Sequence, residues 1–214
     1  MASLPVSGPS ITGVVAIVRL RGTAAPDALV DALVDGGVTF LEVTATTPGA
    51  CATIERWRRR RPEARVGMGT VRTPDDARAA ISAGAHFLVT PTTVPGVLAV
   101  AGEHGVPVAC GALTPTEIDQ AWRLGADVVK VFPVASVGGP DYLRAVRDPL
   151  PEVPLLPTGG VDRGNIRAYA SAGAVGVGVG SSLVSEHAVV GEHWDDLRAR
   201  ARSFVDAWKE TADA

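Results

Sequence analysis

The sequence predicts an α/β fold, a single-domain (β/α)8 TIM barrel, on three observations. One phrase recurs along the chain: a helical-looking run, a glycine, then a β-rich run. It reads "DGGVTFLEVT", "SAGAHFLVTP", "EHGVPVACG", "RLGADVVKVF" and "SAGAVGVGVG". Glycine just past a helix end supplies the left-handed conformation that closes the helix. The apolar runs that follow are short and nearly continuous, as in parallel strands buried on both faces. The length agrees: 214 residues divide into eight units of roughly 27, workable for a small barrel. A doubly wound open sheet is the competing architecture. It is disfavoured because no "GxGxxG" follows a strand near the N-terminus.

The repeat places strands near 13–18, 38–43, 65–69, 86–90, 106–110, 127–132, 154–157 and 174–179. Helix starts between them are well marked. "TPTE" at Thr114 to Glu117 offers an N-cap threonine, a first-turn proline and a glutamate three residues on, which is a capping box. "TPDD" at Thr73 to Asp76 repeats the Thr-Pro start with acids in the first turn. Pro26-Asp27 and Asp162 begin two others. "EHWDDLRARARSFVDAWKE" carries apolar residues at helical spacing and closes the fold. Residues 1–10, "MASLPVSGPS", form a short tail, and 11–214 form the barrel without a linker.

Composition narrows the function. The chain is 46% hydrophobic, enough to bury a large core. A net charge of -3 gives no polycationic face, so no nucleic-acid partner is expected. The run Arg58-Arg59-Arg60-Arg61 reads as the solvated carbonyl end of a helix, which favours cations. Cys51 and Cys110 fit neither a disulfide framework nor a zinc motif, and Cys110 reads as a small buried apolar residue. The N-terminus lacks the basic region and apolar core of a signal peptide, and no apolar stretch is long enough to span a bilayer. A cytoplasmic protein with no membrane partner is the expectation. His86, His104, His187 and His193 show no ligand spacing, so no metal is expected. His86 reads as a satisfied strand histidine, and His104 as a helix-end residue.

Active residues of a parallel barrel gather at the C-terminal ends of its strands. Those ends carry Arg19, Glu42, Thr70, Thr90-Pro91, Gly111, Lys130, Thr158-Gly159-Gly160 and Gly178 to Ser181. Glu42 in "TFLEVT" and Lys130 in "DVVKVF" are ionisable groups set in apolar runs. Singly, each could be a charge that reaches water at a strand end. Together, at equivalent positions of one repeat, they favour an acid/base and a nucleophile. Among 20 Lys+Arg residues, only Lys130 and Lys209 are lysines. A lysine in a strand then answers a need that arginine cannot meet: a neutral amine able to attack a carbonyl. "PTGGVDRGNI" and "VGVGSSLV" each place glycines after a strand and before a helix. Backbone N–H groups there converge on an anion, and barrels build phosphate sites from these two loops.

With these motifs in view, the chain resembles the 2-keto-3-deoxy-6-phosphogluconate and 4-hydroxy-2-oxoglutarate aldolases and their galactonate-branch relatives. "VVAIVRLRG", "LEVTATTP", "GMGTVRTPDDA", "LVTPTT", "GALTPTEI", "VVKVFPVASVGGPDYLRAV", "PTGGV" and "VGVGSSL" fall in family order, from about Val14 to Leu183. The resemblance implies a class I aldolase with Lys130 as Schiff-base lysine and Glu42 as general acid/base. It implies substrate contacts at Arg19, Thr46, Thr70, Pro91, Phe132 and Thr158, and phosphate contacts at Gly159, Gly160, Gly180 and Ser181. It also implies a homotrimer, and no metal or organic cofactor. Two departures stand out. Gluconate-type members read "VTLRT" with a carboxylate-binding arginine, where this chain reads "VTATT" with Thr46. "GMGTV" replaces "GAGTV", which points to Met68 as a residue reshaping the floor of the site. The alternatives are another phosphate-binding barrel, such as a sugar-phosphate epimerase or a thiamine-phosphate-synthase-like protein, and a non-catalytic phosphosugar-acid-binding protein.

Overall fold

The computed structural model describes residues 11–212; the tail expected at 1–10 lies outside them. Strand and helix alternate from β1 (Gly13–Val18), α1 (Asp27–Asp35), β2 (Phe40–Thr44) and α2 (Ala50–Arg60) to β3 (Arg65–Gly69) and α3 (Pro74–Ser82). The middle of the chain gives β4 (Leu88–Val89), α4 (Pro95–Glu103), β5 (Val108–Ala112) and α5 (Pro115–Arg123). Then come β6 (Val128–Val131), α6 (Pro140–Arg147), β7 (Leu155–Pro157), α7 (Ile166–Ser171) and β8 (Gly176–Val179). α8 (Glu186–Val190) and α9 (Trp194–Ala212) end the chain. The strands are parallel in the order β7-β6-β5-β4-β3-β2-β1-β8. Between β7 and β8 the ring is joined by a single parallel bridge, Thr158 to Gly178, and by Val175 N–H donating to the Leu155 carbonyl at 3.0 Å. This is the (β/α)8 barrel that the repeat predicts.

The glycine of each repeated phrase does what its position requires. Gly37, Gly84, Gly105, Gly125 and Gly173 all have positive φ, from 64° at Gly105 to 94° at Gly125, where a Cβ would be strained. The two Thr-Pro starts are full capping boxes. Thr73 Oγ1 accepts from Asp76 N–H, and Thr114 Oγ1 from Glu117 N–H, while each acid returns to the cap backbone. Pro26 caps α1 as read. Asp162 instead forms a turn ahead of α7, its carboxylate accepting from Gly164 and Asn165 N–H, and Asn165 takes the cap position.

Strand parity divides the core in two. Side chains alternate across a strand, so one set faces the helices and the other the barrel interior. Ile11, Val15, Phe87, Val89, Ala109, Val128 and Leu156 form the interior cluster. Leu41, Val43, Val66, Met68, Val129, Val131 and Val177 pack outward with the helices. Met68 therefore belongs to the sheet–helix layer and not to the floor of the site: Gly67 and Gly69, of opposite parity, face inward beside it.

The arginine run is less solvated than its sequence suggests. Arg60 and Arg61 bridge to Asp31, and Arg61 also to Asp35 and Glu63, while Arg56 pairs with Asp27. The pairs with Asp27, Asp31 and Asp35 tie α2 and its C-terminal end to α1, and the Asp31 carboxyl is held low by hydrogen bonding to Arg60. His86 Nδ1 accepts from Val66 N–H at 3.1 Å, and burial, then the charge of Arg58, lower its pKa. Cys110 is fully buried, and desolvation raises its thiol pKa. Among the described residues no helix is long and apolar enough to cross a membrane. Loss of either cap oxygen, Thr73→Ala or Thr114→Ala, should lower unfolding free energy by about 1 kcal/mol. Urea melts of the two variants beside exposed Thr23→Ala, which should shift by less than about 0.5 kcal/mol, check this.

Candidate active site

The inward positions of the strands carry a dry floor at one level and polar groups one step nearer the C-terminal face. Val128 gives way to Lys130, Leu156 to Thr158, Phe40 to Glu42, and Ala109 to Gly111. Register aligns the level across neighbours: Ile17 lies beside Glu42, Glu42 beside Gly67, and Gly111 and Leu156 flank Lys130. Glycines at this level leave the interior unfilled, so two long ionisable chains meet across it. Lys130 Nζ lies 4.0 Å from Glu42 Oε1, with Lys130 5% and Glu42 1% exposed. Glu42 Oε1 has no hydrogen-bond partner. Lys130 Nζ also sits 5.4 Å from the Phe132 ring centroid.

Magnitudes indicate what this pair is for. As opposite charges at 4 Å the two would attract by about 4 kcal/mol at the effective dielectric of a protein. Desolvation costs several kcal/mol per ion, so attraction does not repay burial. An unfilled acceptor beside a buried amine instead leaves both free to engage a reacting group presented from the cavity.

A cavity of about 500 Å³ opens above the pair. Of the residues singled out in the sequence, Lys130, Phe132, Thr158, Gly159, Gly160, Gly180, Ser181 and Arg19 line it. Glu42 does not line it and adjoins it only through Lys130. Thr46, Thr70 and Pro91 stand on the same C-terminal rim but do not line the cavity. Thr46 is exposed, with its hydroxyl 3.0 Å from Thr44 Oγ1. Thr70 holds φ of 58° at the end of β3, an uncommon conformation for a β-branched residue. Sequence reasoning missed Arg21, Ser182 and Glu186 as lining residues. Arg21 was legible as the next inward step after Ile17 and Arg19; Glu186 carries no such signal.

Two glycines decide where the polar groups sit. A Cβ on Gly69 would fall 1.9 Å from Glu42 Oε1, and one on Gly178 would fall 2.4 Å from Thr158 Oγ1. Thr158 is 4% exposed, and its hydroxyl donates to the Leu156 carbonyl at 3.3 Å. Gly69→Ala should therefore drive the Glu42 carboxylate away from Lys130 while the barrel still folds. A crystal structure with Glu42 unmoved at its 4.0 Å separation would sink that expectation.

The family model described as "Aldolase: KDPG and KHG aldolase" matches residues 10–200. The 2-dehydro-3-deoxy-phosphogluconate aldolase of Pseudomonas aeruginosa is 36% identical over 183 residues, covering 85% of this chain and 83% of the relative. The 2-dehydro-3-deoxy-6-phosphogalactonate aldolase of Escherichia coli is 31% identical over 205 residues, covering 91% and 94%. The structure of KDPG aldolase from Legionella pneumophila, with pyruvate captured as a covalent carbinolamine, superposes with a TM-score of 0.79 at 28% identity, covering 91% of this chain and 94% of that one. A family match over most of the barrel, and relatives aligned along nearly their full length, place the chain in the KDPG and KHG aldolase family.

Proposed function

We propose that the chain is a class I aldolase that reversibly cleaves a 2-keto-3-deoxy-6-phospho sugar acid to pyruvate and glyceraldehyde 3-phosphate. The observation that carries this reading is the buried Lys130–Glu42 pair, 4.0 Å apart beneath an open cavity. The names of the relatives, and the carbinolamine trapped in the Legionella enzyme, support it. The same steps acting on 4-hydroxy-2-oxoglutarate release pyruvate and glyoxylate, a second substrate supported by the family's description.

The neutral Lys130 amine attacks the C2 ketone, and the carbinolamine loses water to form an iminium. The Glu42 carboxylate, directly or through a water, takes the C4 hydroxyl proton as the C3–C4 bond breaks. The bonding pair flows into the iminium and leaves an enamine on Lys130, while the aldehyde departs. Protonation of the enamine carbon and addition of water release pyruvate and restore the amine. The protein-bound iminium is itself the electron sink, so the sequence of steps calls for no metal or organic cofactor. The floor of Val128 and Leu156 keeps the amine dry. Arg19 and Thr158 hold the keto acid, with Thr46, Thr70, Pro91 and Phe132 around it. Gly159, Gly160, Gly180 and Ser181 take the phosphate through backbone N–H groups and the serine hydroxyl. A homotrimer in the cytoplasm completes the reading, and light scattering of the purified protein tests the assembly.

Borohydride reduction in the presence of pyruvate should leave one pyruvate-derived adduct on Lys130, seen by mass spectrometry. The adduct should vanish in Lys130→Arg; an adduct that persists there overturns the Schiff base. Glu42→Gln should keep imine trapping while kcat falls by about 10²- to 10⁴-fold, the usual range for a positioned acid/base. Turnover that is unchanged in Glu42→Gln removes the carboxylate from the mechanism.

A further inference from the structure

Beyond Lys130 and the two glycine loops, the cavity has a cationic wall on the segment after β1. Burial alternates there: Val18 and Leu20 are buried, while Arg19 and Arg21 are exposed and both line the cavity. Two side chains from other loops fix this arm. Thr47, 2% exposed, donates its hydroxyl to the Val18 carbonyl and accepts from Leu20 N–H, each at 3.2 Å, so it brackets Arg19. Glu186, from the segment after β8, accepts from Arg21 N–H at 2.9 Å and from Gly22 N–H at 3.1 Å through one oxygen, Oε1. These two backbone bonds hold the Glu186 carboxyl below its usual range.

The use of Glu186 is informative. Its carboxylate is spent on the backbone, and among the described residues neither Arg19 nor Arg21 has a carboxylate within 4.0 Å of its guanidinium. Arg21 is therefore a cation on a tethered stretch of backbone, lining the cavity with no ion-pair partner within 4.0 Å, although its charge still acts on the Glu186 carboxylate. The tie also selects which end of the cavity it serves. Glu186 follows Ser181 and Ser182, which line the cavity beside Gly159 and Gly160. It anchors the far end of the arm to the β8 side, while Thr47 ties its near end to the loop after β2.

We propose that Arg21 forms a distal anion subsite for the phosphate monoester of the substrate, and that Glu186 is the residue that positions it. The proposal rests on the aldolase reading of the site and deepens it. A guanidinium matches a phosphate through paired N–H donors, and it adds a charge that the backbone amides of the glycine loops do not carry. Arg21 therefore makes the enzyme discriminate for a phosphorylated chain end. Glu186 contributes by geometry: with its oxygen on two consecutive amides, the backbone that bears Arg21 cannot swing away from the β8 loop.

The test compares kcat/KM for a 2-keto-3-deoxy-6-phospho sugar acid with that for its unphosphorylated counterpart, and titrates glycerol 3-phosphate by calorimetry. Arg21→Gln should lower the preference for the phosphorylated substrate by about tenfold or more, the loss of a charged hydrogen bond. Glu186→Ala should lower it in the same direction by a smaller factor. Glu186→Gln keeps an acceptor oxygen and should restore it to within about twofold, since the bond and not the charge sets the arm. A Glu186 that served only folding would shift the melting temperature and leave the preference unchanged, which overturns its role. An unchanged preference in Arg21→Gln, or an equal loss on both substrates, overturns the subsite. Glycerol 3-phosphate carries no ketone, so its affinity should fall in Arg21→Gln and persist in Lys130→Arg. That titration decides the subsite even where pyruvate trapping fails and the aldolase reading falls with it.

Discussion

Everything at the site depends on one buried contact, an amine and a carboxylate held 4.0 Å apart without a hydrogen bond between them. A pair kept for stability would close to bonding distance and fill its remaining valences, because attraction at this range barely offsets desolvation. Here the rigid walls hold the two groups short of contact. Lys130 comes from β6 and Glu42 from β2, so their separation is set by the barrel and not by either loop. The cost of burying both is borne by the large apolar core around them, which includes the interior cluster below and the sheet–helix layer outside.

That arrangement follows from the two-residue period of a strand. Parity sends Val129 and Val131 outward and Lys130 inward; in β3 it sends Met68 outward and leaves Gly67 and Gly69 facing the interior. The glycines matter as much as the charged groups. With ordinary side chains at Gly69 and Gly178, the space used by Glu42 and Thr158 would be filled. The level of Lys130 and Glu42 is thus made partly by residues that contribute nothing but room.

Much of this was legible in the sequence because it is written in local rules. Helix-end glycines, Thr-Pro caps and short apolar runs each have a conformational cause, and together they give the order of the elements. Lys130 and Glu42 could be read because a charge inside an apolar run conflicts with its surroundings. Other features needed three dimensions. The outward parity of Met68 depends on register, and a motif comparison alone points it the wrong way. The bonds from Glu186 to Arg21 and Gly22 span 165 and 164 residues, and no local pattern announces them. The ion pairs that bind the arginine run to α1 are likewise set by helix packing.

The bridge between Thr158 and Gly178 gives the barrel a division of labour. That bridge joins β7 and β8, the two end strands of the eight-stranded arc, into a ring, and its threonine also lines the cavity. Any exchange at Thr158 is therefore felt twice, once in the wall of the cavity and once at the closure of the fold. The segment bearing Arg21 has no such double duty, since it lies past the end of β1 and is held from outside the ladder. Substrate range in a barrel built this way is freer to drift along its arms than across its joint, and a redesign that leaves the joint alone starts from the more forgiving half of the molecule.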